Sequence, residues 1–252
     1  MKIADIFDYL DSLAPFCEQE AWDNSGLNVG DREREIGSLT LALDVTAEAL
    51  CFAEKMGDRL IVSHHPCIFT PIKSFTAGNI AFEAAQRGIA LLSAHTNLDK
   101  ASEGTGSCLA KLLDLGEIES FPEVNPYIRI GKIKKTTAAK LGQRVASLLD
   151  TNVELCCGEA PVERLAIVTG AGGDFFNAAA DLGADCLLTG EAKYHELLDA
   201  AARHFPLLTA GHFATEFPIL EFLKASLNEK FPQLKINIFT PSKGDFCKII
   251  NI

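Results

Sequence analysis

Three short segments of the 252-residue chain hold the residue types that bind metal ions: VSHHP at 62–66, AHTNLD at 94–99 and GHFATEF at 211–217. In the first, His64 and His65 close an apolar run that reads as a buried strand, and Pro66 prevents the ladder from continuing. Neighbouring side chains on an extended chain point to opposite sides, so two adjacent imidazoles suit two ions better than one. The second segment follows the strand pattern IALLSA and supplies a carboxylate, Asp99, beside His95, Thr96 and Asn97. The third spaces His212 and Glu216 at i and i+4, which puts both on one face of a helix that starts at a strand end. Each has an ordinary reading when taken singly: Asp99 as the N-cap of a helix near Ala101, Glu216 as a helix surface residue. Five such residues at three successive strand ends read together as a centre for divalent ions. Zinc, manganese, iron and magnesium all accept mixed imidazole and carboxylate shells.

Other segments carry weaker signals. WDNSGLNVG (22–30) sets the only tryptophan beside Asp23, Asn24 and two glycines, with Trp22 as a core anchor and Asp23 or Asn24 as site residues. GAGGDF (170–175) fails the dinucleotide fingerprint because Phe175 takes the last glycine position, and it reads first as a tight turn. Its amides, with Lys100, Lys193 and Arg203, are the candidates for holding phosphate, and each of the three cations also reads as a plain surface residue. Eight cysteines (17, 51, 67, 108, 156, 157, 186 and 247) include no CxxC pair, and most lie in apolar patterns, as reduced and mostly buried thiols do. Cys67 is the one placed near the histidines, and its thiolate would favour a closed site over a carboxylate-rich one.

The elements that must position these residues alternate between strand and helix. LTLALDV, TAEALCFAEKMG and DRLIVS form one such run, and RLAIVTG, GDFFNAAADLGA and DCLLTG another. That pattern defines an α/β protein with central strands covered on both faces. Residues 39–65 and 164–195 resemble each other, which implies an internal repeat and two similar lobes around a shared cleft. The expected division is a first lobe at 1–120, with 205–252 packing on or completing it, and a second at 121–204, the alternative being a single domain over 1–252. Residues 116–135, broken by Pro122 and Pro126, are the candidate crossing, and Lys132, Lys134 and Lys135 lie on the solvent face of a strand there. A formal charge of −11 disfavours nucleic acid as a partner. The acidic amphipathic N-terminus is not a signal peptide, and no apolar run reaches the roughly 18 residues of a membrane span. A cytoplasmic location without membrane association is therefore expected.

In order along the chain, WDNSGLNVG, VSHHP, AHTNLD, TGEAKYHE (189–196) and GHFATEF resemble the Nif-three-like family, also known as GTP cyclohydrolase 1 type 2, over nearly the whole length. The resemblance implies a two-lobed α/β fold and a toroidal homohexamer. It also implies two divalent metal ions per chain (zinc, iron or manganese), with His64, His65, Asp99, His212 and Glu216 as ligands and Glu216 bridging. His95 and His195 match family positions lining the cleft and are the candidate proton shuttles. The implied reaction is hydrolysis of a nucleotide substrate: water attacks C8 of the guanine of GTP, and formate and 7,8-dihydroneopterin triphosphate are released. The alternatives are a hydrolase of another phosphate-containing metabolite, and a ring-shaped metal-binding scaffold or regulator without cyclohydrolase activity.

Overall fold

The computed structural model describes residues 1–241, so Cys247 and the end of the 205–252 segment lie outside the described residues. In chain order the elements are α1 (Ile3–Leu13), β1 (Gly26–Val29), β2 (Ser38–Ala42), α2 (Ala47–Met56), β3 (Leu60–Ser63), α3 (Ile80–Arg87), β4 (Ala90–Ser93) and α4 (Thr96–Lys100). There follow α5 (Thr105–Leu112), β5 (Gly116–Phe121), β6 (Asn125–Thr137), α6 (Ala138–Leu149), β7 (Glu154–Leu155), β8 (Pro161–Val168), α7 (Phe176–Asp181) and β9 (Cys186–Thr189). The chain closes with α8 (Tyr194–Ala202), β10 (Leu207–Thr209), α9 (His212–Glu216), α10 (Ile219–Lys230) and β11 (Lys235–Ile238). Among the described residues, no helix is long and apolar enough to cross a membrane.

Two compact units result, one of Met1–Asn97 with the chain from Leu223 onward, the other of Leu98–Phe222. The first holds a five-stranded sheet in the order β1-β4-β3-β2-β11. Strands β2, β3 and β4 are parallel, β1 runs antiparallel beside β4, and β11 extends the parallel set beside β2. Thr46 caps α2 by accepting from the amide of Ala49, and Gly57 ends it in the left-handed conformation at φ 79°. The helix then lays Ala49, Leu50 and Ala53 on the sheet against Ala42, Ile61 and Leu91.

The second unit holds a six-stranded sheet, β5-β6-β8-β9-β10-β7. Side chains alternate along its strands, so Leu165, Ile167 and Leu188 pack with α5 and α6 on one face while Ala166, Val168 and Leu187 pack with α7 on the other. Helices on both faces explain why LAIV and CLLT read as continuous apolar runs.

The suspected repeat is present in the topology and is longer than the sequence pattern. The succession α1-β1-β2-α2-β3-α3-β4 is matched by α6-β7-β8-α7-β9-α8-β10. In each, three successive strands are parallel, and the strand preceding them pairs antiparallel with the third.

The unit limits differ from those expected at 120 and 204. Residues 116–121 are β5 and pair with β6, while Leu207–Thr209 pair with β9, so both segments belong to the second sheet. The C-terminal chain is part of the first unit from Leu223. Residues 116–135 are a hairpin of this sheet rather than a crossing. Pro122 sits at the second position of a turn closed by the Val124 amide on the Phe121 carbonyl, 3.0 Å.

Candidate metal centre

In the first unit, His64 and His65 stand just beyond β3, where Ser63 is the last strand residue. Their successive amides donate to successive carbonyls, Ala42 and Leu43, at 3.2 and 3.0 Å. An extended strand alternates its donors and cannot do this, so the chain has turned out of the β conformation at the histidines. The two imidazoles accordingly converge, with ring centroids 5.0 Å apart, and do not point to opposite sides as extended spacing implied. His95, just beyond β4, completes a triangle at 5.2 Å from His64 and 5.3 Å from His65. One ring nitrogen from each of the three lies within 4.8 Å of those of the others.

Each ring is oriented by an oxygen at Nδ1. His64 meets the Ala94 carbonyl at 2.9 Å, His65 meets Asp44 at 2.7 Å and His95 meets Asp23 at 2.9 Å. A carbonyl or carboxylate oxygen only accepts, so Nδ1 carries the proton in each ring and Nε2 of the neutral imidazole holds the lone pair. This is the arrangement in which an outer oxygen fixes the tautomer of a metal-binding histidine and raises its basicity. Removing that oxygen typically weakens metal binding about tenfold to a hundredfold. Asp44 is exposed, so Asp44→Ala is expected to leave the metal-free protein within about 0.5 kcal/mol of wild type. Isothermal titration with zinc should nevertheless show at least about a tenfold loss of affinity.

Asp23 was legible only as one residue of an unusual loop. Besides His95, its carboxylate accepts from the hydroxyl and amide of Thr96, the Asn24 amide and the Ser25 hydroxyl. Burial is the largest single influence on this group and raises its pKa. Hydrogen bonds from His95, Thr96 and the Asn24 amide outweigh it and hold the carboxyl well below the usual carboxylate range. Asp23 is therefore the loop's anchor. Trp22, expected in the core, is 61% exposed instead. Cys67 is no ligand candidate: burial pushes its thiol up to about 11, and its sulfur sits 3.9 Å from Asn28 Oδ1.

In the second unit, α9 starts directly after the turn that follows β10, and the i, i+4 spacing brings His212 Nε2 to 3.2 Å from Glu216 Oε2. Glu216 is buried, and one of its oxygens lies within 4.8 Å of an Asp99 oxygen. Asp99 belongs to the short helix α4 and does not cap a helix. Its Oδ1 accepts from the Thr105 hydroxyl at 2.6 Å, and Thr105 accepts in turn from Thr169 at 2.8 Å. The GAGG turn after β8 serves this cluster. A Cβ placed on Gly170, whose φ is +66°, would stand 2.3 Å from Glu216 Oε1 and 3.2 Å from His212 Nε2. Glu191, which sequence reading passed over, approaches His212 Nδ1 at 3.4 Å.

The structure thus gathers His64, His65 and His95 in one unit and Asp99, His212 and Glu216 in the other. His195 joins neither group. It is exposed at the start of α8, 4.0 Å from Glu196. Of the cations weighed for phosphate, Lys193 pairs with Glu196 at 3.4 Å, Arg203 with Asp181 at 3.8 Å, and Lys100 lies over the Tyr127 ring at 5.6 Å. These local partners favour the plain surface reading of all three.

Arg129 was hidden inside YIRIG. It is 2% exposed, and every guanidinium nitrogen donates: Nε to Ser107 Oγ at 3.0 Å, Nη1 to the Pro126 and Ile128 carbonyls, and Nη2 to the Lys100 and Ala101 carbonyls at 2.9 and 2.7 Å. Burial lowers its pKa from the usual arginine value, and the neighbouring Asp99 carboxylate opposes that shift. Through Lys100 and Ala101, Arg129 fixes the chain immediately after Asp99.

Two sheets joined in one chain define a mixed α/β protein, and beyond the ends of their parallel strands stand His, Asp and Glu groups that could hold a metal ion. A model of the Duf34/NIF3 (NGG1p interacting factor 3) family matches residues 1–244, and the chain belongs to that family. It is 34% identical over 242 residues to a Clostridium perfringens protein named GTP cyclohydrolase 1 type 2 homolog, covering 91% of this chain and 92% of that one. A Campylobacter jejuni protein of the same name is 33% identical over 255 residues, with coverage of 98% and 99%. The crystal structure of Staphylococcus aureus protein SA1388 superposes with a TM-score of 0.90 at 26% identity, covering 99% of both chains.

Proposed function

We propose that this chain is a cytoplasmic, divalent-metal-dependent hydrolase with two ions per chain, zinc, iron or manganese, held by His64, His65, Asp99, His212 and Glu216. Its reaction on this reading is the cyclohydrolase conversion of GTP and water to formate and 7,8-dihydroneopterin triphosphate. The observation that carries the proposal is the convergence of His64, His65 and His95, one ring nitrogen of each within 4.8 Å of the others, with Nδ1 of each ring oriented by an oxygen. The donor set fits: buried imidazole and carboxylate suit borderline divalent ions, and Gly170 leaves room beside Glu216 that any side chain would fill. The names of the two bacterial relatives support the reaction class. When bound, a pair of such ions supplies a Lewis acid for the bond under attack and a water acidic enough to serve as nucleophile at neutral pH.

The chain's own contribution is orientation and proton transfer. Asp23 fixes the tautomer of His95, so Nε2 of His95 takes a proton from the water that attacks C8 and later returns it to the ring nitrogen whose bond to C8 breaks. His195, exposed and without such an orienting oxygen, is the second candidate for that role. A ring-shaped homohexamer is proposed with this reading, on the family resemblance alone.

The test loads the purified protein with zinc, manganese and iron in turn, measures its mass by light scattering, and follows metal stoichiometry and formate release from GTP for wild type and Glu216→Ala. Two ions per chain with turnover abolished in the variant is the expected result. Two ions without formate from the wild type would reject GTP and leave a hydrolase of another phosphate-containing metabolite, or a metal-binding scaffold.

A further inference from the structure

Two large aromatic side chains of the first unit remain unexplained by packing. Trp22 is 61% exposed and Phe69 is 49% exposed. They are not scattered apolar residues. Both lie edge-to-face with one polar ring, that of His95, at centroid distances of 6.0 and 5.7 Å and interplanar angles of 74° and 80°. The loops that carry them are tied together, because Asn24 Nδ2 donates to the Ile68 carbonyl at 2.8 Å, while Asp23 pins the Trp22 loop to His95 and Thr96. Two rings held at one histidine are an organised surface, since a soluble protein otherwise avoids gathering exposed aromatic area.

We propose that Trp22 and Phe69 form a stacking platform for a planar nitrogen heterocycle, of the purine or pterin class, seated beside His95. Aromatic faces recognise such rings by offset stacking, which every base offers and a sugar phosphate does not. The histidine adds selectivity within the class. Its Nδ1 proton is committed to Asp23, so Nε2 is an acceptor suited to a ring N–H or an exocyclic amino group. For its place in turnover the platform rests on the hydrolase reading above, but ring binding itself requires no metal. The platform accordingly selects a ring-bearing nucleotide over the aliphatic phosphate esters among the alternatives.

Trp22 is the only tryptophan in the chain, so intrinsic tryptophan fluorescence reports on this platform alone. The experiment titrates the full-length protein with guanosine, ribose 5-phosphate and inorganic triphosphate, for wild type and Phe69→Leu, with metal content measured on the same samples. Guanosine is expected to change the emission saturably, with roughly tenfold weaker binding in Phe69→Leu, as the loss of one stacking partner gives. Ribose 5-phosphate and triphosphate should leave the emission unchanged. Calorimetry of Trp22→Leu, which lacks the fluorophore, should show the same loss of guanosine affinity, and Trp22→Phe should restore part of it. No response to guanosine, an equal response to triphosphate, or wild-type affinity in Phe69→Leu would each overturn the platform. Guanosine binding to protein that takes up no metal would keep the platform and sink the hydrolase reading. Metal uptake with no guanosine response would do the reverse.

Discussion

Arg129→Ala is expected to lower the unfolding free energy of the metal-free protein by about 3–5 kcal/mol, the range found when one partner of a buried charged network is removed. Five acceptors depend on this guanidinium: the carbonyls of Lys100, Ala101, Pro126 and Ile128 and the hydroxyl of Ser107. A methyl group replaces none of the donors, and each buried acceptor left dry costs about 1–3 kcal/mol before water enters the space. The site was built around this side chain. Gly106 in α5 leaves a gap into which a Cβ would protrude to 3.2 Å from Arg129 Cγ. Arg129→Lys keeps the charge but loses the planar fork, and should fall between the variant and wild type. Urea unfolding followed by far-ultraviolet circular dichroism measures both. A loss below about 1 kcal/mol for the alanine variant would mean that water replaces the guanidinium at little cost.

Arg129 also shows where sequence reading stopped. Alternation along YIRIG assigns Ile128 and Ile130 to one face of the strand and Arg129 to the other, and the structure keeps that alternation. What periodicity does not carry is whether the second face is covered. On β6 it is covered at Arg129 by α5, through Gly106 and Ser107, while Lys132, Lys134 and Lys135, farther along the strand, are exposed as expected. The donors at strand ends were legible because they need only local rules: a proline that stops a ladder, a helical spacing of four, an apolar run that must end. Asp23 was less so, because its tie to His95 spans 72 positions of sequence and follows from folding β1 against β4. Trp22 was misplaced for a related reason. A lone tryptophan in a loop suggests a buried anchor, yet here the anchor is the neighbouring carboxylate and the indole is left outside.

The repeat accounts for how the donors are divided. In the first unit the residues beyond the second and third parallel strands are His64, His65 and His95. In the second, the corresponding places beyond β9 and β10 hold Gly190, Glu191 and Gly211, with His212 and Glu216 on the helix that follows. One topology thus carries imidazole-rich strand ends in one copy. In the other, glycine-rich strand ends make space for a carboxylate. Gly190 likewise makes room for the start of α9, since a Cβ there would stand 2.8 Å from both the His212 Cα and the Thr215 hydroxyl.

Gly170→Ala, the smallest change available at that carboxylate, is expected to weaken metal binding by at least about tenfold while costing the metal-free fold only about 1 kcal/mol. The backbone cost arises because φ at Gly170 is +66°, a conformation that disfavours a Cβ. The larger effect is on the ligands, since the new methyl carbon would sit 2.3 Å from Glu216 Oε1 and the buried carboxylate must move to relieve the overlap. Gly183→Ala separates the two contributions. Its φ is +82° and nothing lies within 4 Å of the added carbon, so it bears the backbone cost alone. Thermal unfolding with and without saturating manganese reads both, because a ligand that binds only the native state stabilises it in proportion to the logarithm of its affinity. Gly183→Ala should lose a little stability and keep the full metal-induced rise in Tm. Gly170→Ala should lose a similar amount without metal and then forfeit about 1.4 kcal/mol or more of the metal-dependent gain, the equivalent of tenfold in affinity. An equal metal-induced rise in both variants would mean that the position of Glu216 is immaterial to the ions, and Glu216 would leave the ligand set.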